Sequence, residues 1–391
     1  RIFTPKEYRG EIILEQCVFE CNTLGVKDDA DRGGCGIYIA NDPDYKGPEQ
    51  AVGFPVVFKD CEFNNNTALN GHGGAIAYSV SDDRLNLTTL IFDNCRFAFN
   101  KASTFGGALA INTVSPITIV GCTFSYNSVE QDLDSNANAI YLSTRAIATI
   151  SETRFINNGL NGSAIYFNGL SLEMEDATIQ FDSSVNSSRG IYVAIKKPIS
   201  LYQVHFINCS AGEDGFGGAL YYDNGGTEEL DFTLTKCTFD NNTASNGCSL
   251  YMRTDQVPVI EECKFQNHEN VPTNQFVFYL EFTKYQMVCE LTECIFSANS
   301  YQAVENEEDG GGSGIWIAND ESVQSDGLLQ LYFTDCQFID NKSPSFGGAF
   351  AFGRSEKAYR SELYFDYCIF DNNHAEKSGG ALWIKSMPIS I

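Results

Sequence analysis

A short motif recurs along the whole 391-residue chain and limits the folds that the chain can adopt. The motif is Cys-x-Phe-x-x-Asn, followed after a variable stretch by Gly-Gly-Ala and a large apolar residue. The clearest copies begin at Cys61, Cys95, Cys336 and Cys368. Degenerate copies begin near Cys17, Cys122, Thr153, Ala177, Val204, Cys237, Cys263 and Cys294. About twelve units at intervals of roughly 24–44 residues indicate a repeat architecture.

Each unit contains three short apolar runs with the alternation of β-strands. Residues 108–111 and 117–120, for example, alternate over four positions between Gly, Asn, Ser and Pro, which is typical of strands rather than helices. Three strands per unit, with variable lengths at two of three corners, describe one coil of a parallel β-helix, and each coil must stack on its neighbours about 4.8 Å away. Because crossovers between parallel strands are right-handed, the sequence predicts an all-β, right-handed parallel β-helix of about twelve coils.

These repeats resemble those of a known family. The Phe-x-x-Asn and Gly-Gly-Ala-Ile/Leu motifs are similar to the polymorphic outer-membrane protein repeats of chlamydial surface proteins, and more broadly to pectin-lyase-like β-helices. The resemblance covers nearly the whole chain and implies a surface-exposed passenger, often an adhesive one. Because no membrane-barrel pattern follows the repeats, similar repeats of protist surface proteins are at least as close, and we expect a protist surface protein.

The resemblance and the repeats predict one elongated domain over residues 1–391. Residues 387–391 repeat the pattern of residues 115–119, which begin the second strand of a coil, so we expect the chain to be a fragment of a longer one. Insertions into the repeat are expected near residues 22–34, 41–55, 301–312 and 319–327.

The charge balance excludes two classes of partner. The chain has 51 Asp and Glu against 25 Lys and Arg, a formal net charge of −26. Nucleic acids and anionic membranes are bound through clustered Lys and Arg, so we expect no nucleic-acid partner. No apolar run approaches the roughly 20 residues of a membrane span, so we expect no direct membrane insertion in this segment.

An aromatic column is predicted on the outer face of one sheet. Side chains alternate along a strand, so the apolar residue after Gly-Gly-Ala and the one two positions later should face the interior. The residue between them should face outward, and its aromatic members are Tyr38, Tyr141, Tyr166, Tyr192, Tyr221, Tyr251, Tyr279, Trp316 and Trp383. The column is a candidate contact for a partner protein or a glycan, or else a self-stacking surface partly covered by corner loops.

The motif asparagine is expected at a corner, where it adopts a left-handed turn and its amide bonds to the next coil. Candidate N-glycosylation sites, defined by Asn-x-Ser/Thr, are Asn65, Asn86, Asn161, Asn186, Asn208, Asn241 and Asn341. Several of them fall at this corner, so N-linked glycans there would line one edge of the molecule.

Most of the 14 cysteines hold the first position of the motif, and we expect this ladder to point inward as small buried side chains. The off-ladder cysteines are the disulfide candidates, pairing Cys21 with Cys35 and Cys209 with Cys248. Paired Cys-x-x-Cys spacing is missing from the sequence, which argues against zinc. Sequons, off-ladder cysteines and an acidic surface together predict an extracellular, cell-surface protein.

The sequence offers few catalytic candidates. Gly71-His72-Gly73 resembles the Gly-His-Gly of polygalacturonases and is followed by Asp82 and Asp83, but His72 lies inside the glycine corner of the repeat. A glycosidase needs two carboxylates across the scissile bond, whereas the acids here crowd into loops. We therefore predict no enzyme and no catalytic residue, with a polysaccharide lyase or glycoside hydrolase as the least favoured alternative.

Acidic loops at residues 28–31, 42–44, 131–134 and 305–309 carry oxygen ligands of the kind that Ca²⁺ prefers, but none has an ordered ligand spacing. We expect no cofactor and no structural metal, with Ca²⁺ at these loops as the alternative.

The leading functional hypothesis is a non-enzymatic extracellular structural or surface-display module. Such a module would be a building block of a coat, appendage or filament, packing on other protein subunits or neighbouring copies through the aromatic column and the inserted loops. The alternative is an adhesin that binds glycans or receptors.

Overall fold

The structure, a computed structural model, describes residues 2–3, 11–25, 34–40, 55–79, 89–130, 137–159, 162–182, 188–194, 198–212, 215–224, 231–254, 258–268, 276–282, 286–300, 313–319, 328–352 and 360–384. The chain divides into two compact units, residues 1–194 and 195–391. No helix among the described residues has the length and hydropathy of a membrane span. The predicted single elongated domain stays a prediction, and residues 26–33, 41–54, 301–312 and 320–327 of the predicted insertions lie outside the described residues.

The first unit is built from three long sheets and one short one. Sheet A, which follows the glycine corner, consists of Ile2–Phe3, Ile37–Ala40, Ile76–Ser79, Leu109–Thr113, Ala137–Thr144, Ser163–Asn168 and Arg189–Val193. Sheet B consists of Ile12–Glu15, Val56–Lys59, Leu90–Asp93, Ile117–Val120, Ile147–Ser151 and Ser171–Glu175. Sheet C, which carries the motif phenylalanines, consists of Val18–Glu20, Glu62–Asn64, Arg96–Ala98, Thr123–Ser125, Arg154–Ile156 and Thr178–Gln180. Sheet D follows the asparagine corner with Thr23–Leu24, Thr67–Ala68, Lys101–Ala102 and Ser128–Val129.

The second unit repeats this plan. Its sheet A consists of Leu220–Asn224, Leu250–Thr254, Phe278–Phe282, Ile315–Asn319, Phe350–Phe352 and Leu382–Ile384. Its sheet B consists of Ile199–Tyr202, Phe232–Thr235, Pro258–Glu261, Gln286–Thr292, Leu328–Thr334 and Arg360–Asp366. Its sheet C consists of His205–Ile207, Thr238–Asp240, Lys264–Gln266, Ile295–Ser297, Gln337–Ile339 and Ile369–Asp371. Lys342–Ser343 and His374–Ala375 form a two-stranded sheet at its asparagine corner.

The described strand pairs are parallel and join equivalent positions of adjacent coils. Leu109 pairs with Ile76 on one side and Ile140 on the other, and Phe97 pairs with Phe63 and Phe124. Each sequence column therefore becomes a row of like side chains, and the predicted parallel β-helix with three strands per coil is confirmed.

The interior consists of the columns that the alternation predicts. Phe63, Phe97 and Phe124 are fully buried, and their rings stack with centroids 4.8 and 4.6 Å apart. Cys95 and Leu109 are also buried, so the predicted inward direction of the cysteine and aliphatic columns is confirmed. Burial of these apolar rows holds neighbouring coils together, because no coil covers its own interior face.

Left-handed residues form two of the corners. One precedes the motif cysteine, as Asn94 does with φ 52°, and one precedes the motif asparagine, as Asn65 does with φ 54°. The prediction that the motif asparagine itself takes the left-handed turn is wrong, because Asn66 and its equivalents are not among the residues with positive φ. The turn residue points outward at the corner, which leaves the asparagine free to point inward.

The glycine pair forms the third corner for two separate reasons. Gly106 has φ 61°, where an L side chain is strained. A Cβ on Gly107 would overlap the carbonyl oxygen of Asn138 and lie 2.5 Å from the backbone nitrogen of Ser128. The predicted tight glycine corner is thus confirmed.

Candidate functional site

An asparagine ladder runs up the corner of the first unit. The side-chain amide nitrogen of Asn66 donates to Oδ1 of Asn100, that of Asn100 to Asn127, and that of Asn127 to Asn158, each over 2.9 Å. Each amide also donates to the carbonyl oxygen of a motif phenylalanine, as Asn100 does to Phe63 over 2.8 Å. The amides are fully buried and fully engaged with protein, so the ladder is a structural element.

The second unit carries the same ladder with two substitutions. Asn299 donates to Asn341 and Asn341 to Asn373, each over 2.9 Å. Two other coils of the unit hold Cys209 and His268 at this position. The backbone N–H of Cys209 still donates to Oδ1 of Asn242 over 2.8 Å, so the main-chain part of the ladder survives the loss of its amide.

His268 is a buried histidine whose protonation state is set by its partners. Its Nδ1 lies 2.9 Å from Oδ1 of Asn299, which can only accept, so Nδ1 carries the proton. Its Nε2 lies 2.6 Å from Oγ of Ser249, which therefore donates to it. Burial lowers the pKa of His268 to about 4, against the opposing effects of the hydrogen bond to Asn299 and of the Asp240 carboxylate. The imidazole is neutral at pH 7 and replaces an asparagine.

This arrangement predicts a stability loss in mild acid. The unfolded chain protonates His268 near pH 6.5 and the folded chain only near pH 4, so its contribution is complete above pH 6.5 and is lost as the pH falls toward 4. The loss amounts to about 3 kcal/mol. We expect the free energy of unfolding, measured by denaturant titration at a series of pH values, to show this decline in the wild type. His268→Asn should remove that part of the pH dependence, and identical profiles for the two proteins would contradict the assignment.

The ladder corrects one predicted glycosylation site. Asn341 is fully buried, and its amide nitrogen donates to Phe296 and Asn373, so a glycan on it is incompatible with the fold. Asn65, by contrast, is exposed at the left-handed corner. Asn208 and Asn241 lie at the same corner and are bonded to each other over 2.8 Å. Asn86, Asn161 and Asn186 lie outside the described residues.

The motif cysteines form a second ladder, of thiols. The thiol of Cys61 donates to the carbonyl oxygen of Leu14 over 3.1 Å, and that of Cys95 to Phe58 over 3.3 Å, so each bonds to the preceding coil. Burial raises the pKa of Cys61 to about 11. The thiolate is the reactive form of cysteine, and the Cys61 thiol is therefore poorly reactive at neutral pH.

Neither predicted disulfide is seen in the structure, in which the 14 cysteines carry no bridge, and both pairings stay predictions. Cys209 and Cys248 are buried, and their sulfurs lie against the carbonyl oxygens of Ile207 and Ala244. Cys21 is exposed, whereas Cys35 is half-buried with its pKa raised by burial.

The predicted aromatic column is a stack of half-buried rings on the outer face of sheet A. In the first unit, the Tyr141 and Tyr166 rings are 4.8 Å apart and the Tyr166 and Tyr192 rings 5.6 Å apart, with planes within 6°. In the second unit, Tyr221, Tyr251 and Tyr279 stack in the same way. Tyr38, Trp316 and Trp383 are likewise half-buried.

Sequence reasoning missed how the stack continues where the column residue is small. Ala77, Ala110 and Ala351 are buried. In the same coils, the residue before the glycine pair is His72, Phe105 or Phe346, and its ring takes the place that the alanine leaves empty. Phe105 stacks between His72 and Tyr141 at 5.0 and 4.8 Å. The sequence signal for this replacement is an aromatic residue directly before Gly-Gly together with an alanine five residues later.

The stack is an apolar surface with neutral phenols. Burial raises the pKa of Tyr166 to about 12, and it also raises the pKa of Tyr141. These hydroxyls stay protonated over the physiological range. The self-stacking interpretation of the column is thereby supported by its geometry, and a partner contact through it stays a prediction.

The residues of the enzyme alternative form no catalytic arrangement in the described part of the chain. Nδ1 of His72 lies 2.5 Å from Oγ1 of Thr104, and its ring stacks on Phe105. Asp82 and Asp83 lie outside the described residues, as do the four acidic loops proposed for Ca²⁺. Among the residues that are described, no group of three or more His, Cys, Asp and Glu is placed to hold a metal ion.

Comparison with known proteins gives two family matches. The family model for a right-handed β-helix region matches residues 9–211. The family model for the Chlamydia polymorphic membrane protein repeat matches residues 367–385. No curated protein and no solved structure matches the chain. Both matches agree with the predicted handedness and repeat type, and neither points to a protist source.

Proposed function

The chain belongs to the family of right-handed β-helix proteins, and we propose that it is a non-enzymatic structural and display module at a cell surface. Its role is to hold connections of varied length on a frame of repeated coils. The match of residues 367–385 to the repeat of Chlamydia polymorphic membrane proteins supports this proposal, since a repeat found in membrane proteins fits a module held at the cell boundary.

The observation that carries this proposal is the contrast between a constant frame and variable connections. The strands of sheets A, B and C pair equivalent positions from coil to coil within each unit, with one register shift in sheet A between Ala137 and Ile140. The connection from sheet A to sheet B, however, ranges from residues 169–170 in one coil to residues 41–55 in another. Since strands on both sides of short and long connections still pair equivalent positions, the connections can vary with little cost to the frame.

The hydrogen bonds that the polar side chains make support a structural role. Asn100 and its equivalents are buried and bonded in the ladder, and the motif thiols bond to main-chain oxygens. An active site needs polar groups that are exposed to substrate and have perturbed pKa values. The described groups with large pKa shifts are instead buried cysteines, stacked tyrosines and His268.

The test is electron cryo-imaging of native surface material from cells that produce this chain, together with protease treatment of intact cells. We expect the β-helix to recur at a fixed spacing within a coat, appendage or filament, and we expect external protease to remove it. Protection from protease in intact cells would overturn the surface location. Isolated copies without a regular neighbour would overturn the scaffold role.

Glycosylation provides a separate prediction for expression in a eukaryotic secretory pathway. We expect a glycan on Asn65, because its side chain is exposed at a corner, and none on Asn341, because its amide is buried in the ladder. Glycopeptide mass spectrometry checks both sites. Asn65→Asp, which keeps the preference for a left-handed turn, should remove one glycan, and an occupied Asn341 in folded protein would contradict the buried ladder.

A further inference from the structure

A groove opens at the asparagine corner of the first unit, where sheet D ends. The last strand of sheet D is Ser128–Val129, and the following coil passes this level at Asn158 and Gly159 without adding a strand. The coil after it departs further from the motif, with Asp182 at the ladder position and the fully buried Phe181 before it. The resulting step leaves a cavity of about 660 Å³, within the range of small-molecule sites.

The apolar part of the groove is an exposed aromatic pair. Tyr126 lines the groove and stacks on Phe99 with ring centroids 5.1 Å apart and planes within 6°. The two side chains are 49% and 52% exposed. Both residues have left-handed φ angles, 54° and 56°, at a position where most other coils have Asn or Asp. A bulky residue in this conformation is strained, and strain of this kind concentrates at functional sites.

The polar part of the groove is held in fixed orientations. The side-chain amide of Asn157 donates to Oδ2 of Asp182 over 2.9 Å and to the Tyr126 hydroxyl over 3.2 Å, while the backbone N–H of Asp182 donates to Oδ1 of Asn157 over 2.7 Å. On the other side, Nζ of Lys101 lies 2.8 Å from Oε1 of Glu130. The groove thus presents two oriented carboxylates and one ammonium group around an aromatic ring.

The aromatic ring, the two carboxylates and the ammonium group together limit the chemical class of ligand that fits the groove. The carboxylates outnumber the ammonium group, and the ammonium is already paired, so the groove disfavours phosphate, sulfate and uronic acids. A purely apolar ligand would leave the carboxylates without water or partners, which is costly. A neutral pyranose has an apolar C–H face that can contact an aromatic ring, and hydroxyl groups at its edge that donate to carboxylates.

We propose that this groove binds a neutral saccharide. One pyranose ring packs against the exposed side of the Tyr126–Phe99 pair, its hydroxyls donate to Asp182 and Glu130, and another hydroxyl accepts from Lys101. This binding activity goes beyond the display role and does not depend on it, since a display module needs no ligand in this groove.

The test uses the whole chain and isothermal titration calorimetry with defined probes. The probes are neutral oligosaccharides of glucose, mannose, galactose and N-acetylglucosamine, with sulfated and uronic-acid oligosaccharides as anionic counterparts. We expect at least one neutral probe to bind, Tyr126→Ala to weaken it by about tenfold or more, Tyr126→Phe to retain most of the affinity, and Asp182→Asn to weaken it.

The matched control is Tyr367→Ala. Tyr367 is 81% exposed and has φ 52° at a corner of the second unit, so its replacement has the same chemical and conformational character outside the groove. Unchanged affinity in this variant, with unchanged circular dichroism in all variants, assigns binding to the groove. The proposal is overturned if no neutral probe binds at about 10 mM, if anionic probes bind more tightly, or if Tyr126→Ala binds as the wild type does. None of these outcomes bears on the surface location or the scaffold role.

Discussion

Replacement of Asn100 by alanine is expected to lower the free energy of unfolding by about 4 kcal/mol. The Asn100 amide is fully buried and makes four hydrogen bonds. It donates to Phe63 and Asn127 over 2.8 and 2.9 Å, and its Oδ1 accepts from the backbone and side chain of Asn66 over 3.1 and 2.9 Å. Alanine removes these four bonds, although the backbone N–H of residue 100 still donates to Asn127 and the Asn66 amide still donates to Phe19. Each buried polar group that is left unpaired costs about 1–3 kcal/mol.

Urea unfolding followed by circular dichroism measures this effect. Asn112→Ala is the control, because Asn112 is an exposed asparagine in the same coil, and we expect its effect to stay within about 0.5 kcal/mol. Asn100→Asp should destabilise as well, since a carboxylate keeps the shape but cannot donate to Phe63 and Asn127. Equal stability of Asn100→Ala and Asn112→Ala would refute the structural weight given to the ladder.

The second large effect is expected at the centre of the phenylalanine row. Phe97→Ala should lower the free energy of unfolding by about 4 kcal/mol, because it removes a fully buried ring and leaves a cavity. The Phe97 ring stacks on Phe63 and Phe124 at 4.8 and 4.6 Å and meets the Phe92 ring edge-on at 5.8 Å. The same urea titration checks the value.

Phe99 supplies the comparison for this variant. It lies two residues away, is 52% exposed and stacks on Tyr126 at the groove. Phe99→Ala should cost less than about 1 kcal/mol, and Phe97→Leu should recover much of the loss by filling the cavity with apolar atoms. A Phe97→Ala variant as stable as Phe99→Ala would show that the row contributes little to the fold.

The architecture could be predicted from the sequence because parallel, in-register stacking gives equivalent residues of different coils the same environment. The pairing of Phe97 with Phe63 and Phe124 follows directly from their equal places in the repeat. The inward direction of Cys95 follows from its spacing of two from Phe97. The repeat therefore shows which residues distant in the sequence pair with each other, which a single sequence usually does not.

The corner conformations could not be read in the same way. The left-handed residue before the motif asparagine is Asn65 in one coil, Phe99 in the next and Tyr126 in the one after. Most coils have Asn or Asp at this position, but Phe99 and Tyr126 interrupt the pattern, whereas the asparagine beside it recurs because its amide forms the ladder. The prediction assigned the left-handed turn to the motif asparagine, because that residue recurs in the sequence. For the same reason it counted Asn341 among the accessible glycosylation sites.

The groove escaped prediction because it depends on a place where the repeat fails. Sheet D stops after Ser128–Val129, and two coils later Asp182 lies where an asparagine would continue the ladder. Alignment of the repeat units shows the residues that recur, whereas this groove arises from a coil that deviates from the repeat. Tyr126 can be recognised as part of a groove only together with Asn157 and Asp182, which come from the two following coils.

The in-register ladders also determine how a chain of this kind can change in length. The asparagine, thiol and phenylalanine rows each join one coil to the next, and the same kind of contact recurs from coil to coil. Removal of residues 95–121 would bring Cys122, Phe124 and Asn127 onto Cys61, Phe63 and Asn66, and would restore the same bonds at the new junction. Deletions and duplications of whole coils are therefore neutral for the frame, while a gain or loss of a few residues within a strand is not. Length becomes a trait that unequal recombination can adjust in steps of one coil, independently of what the corners carry.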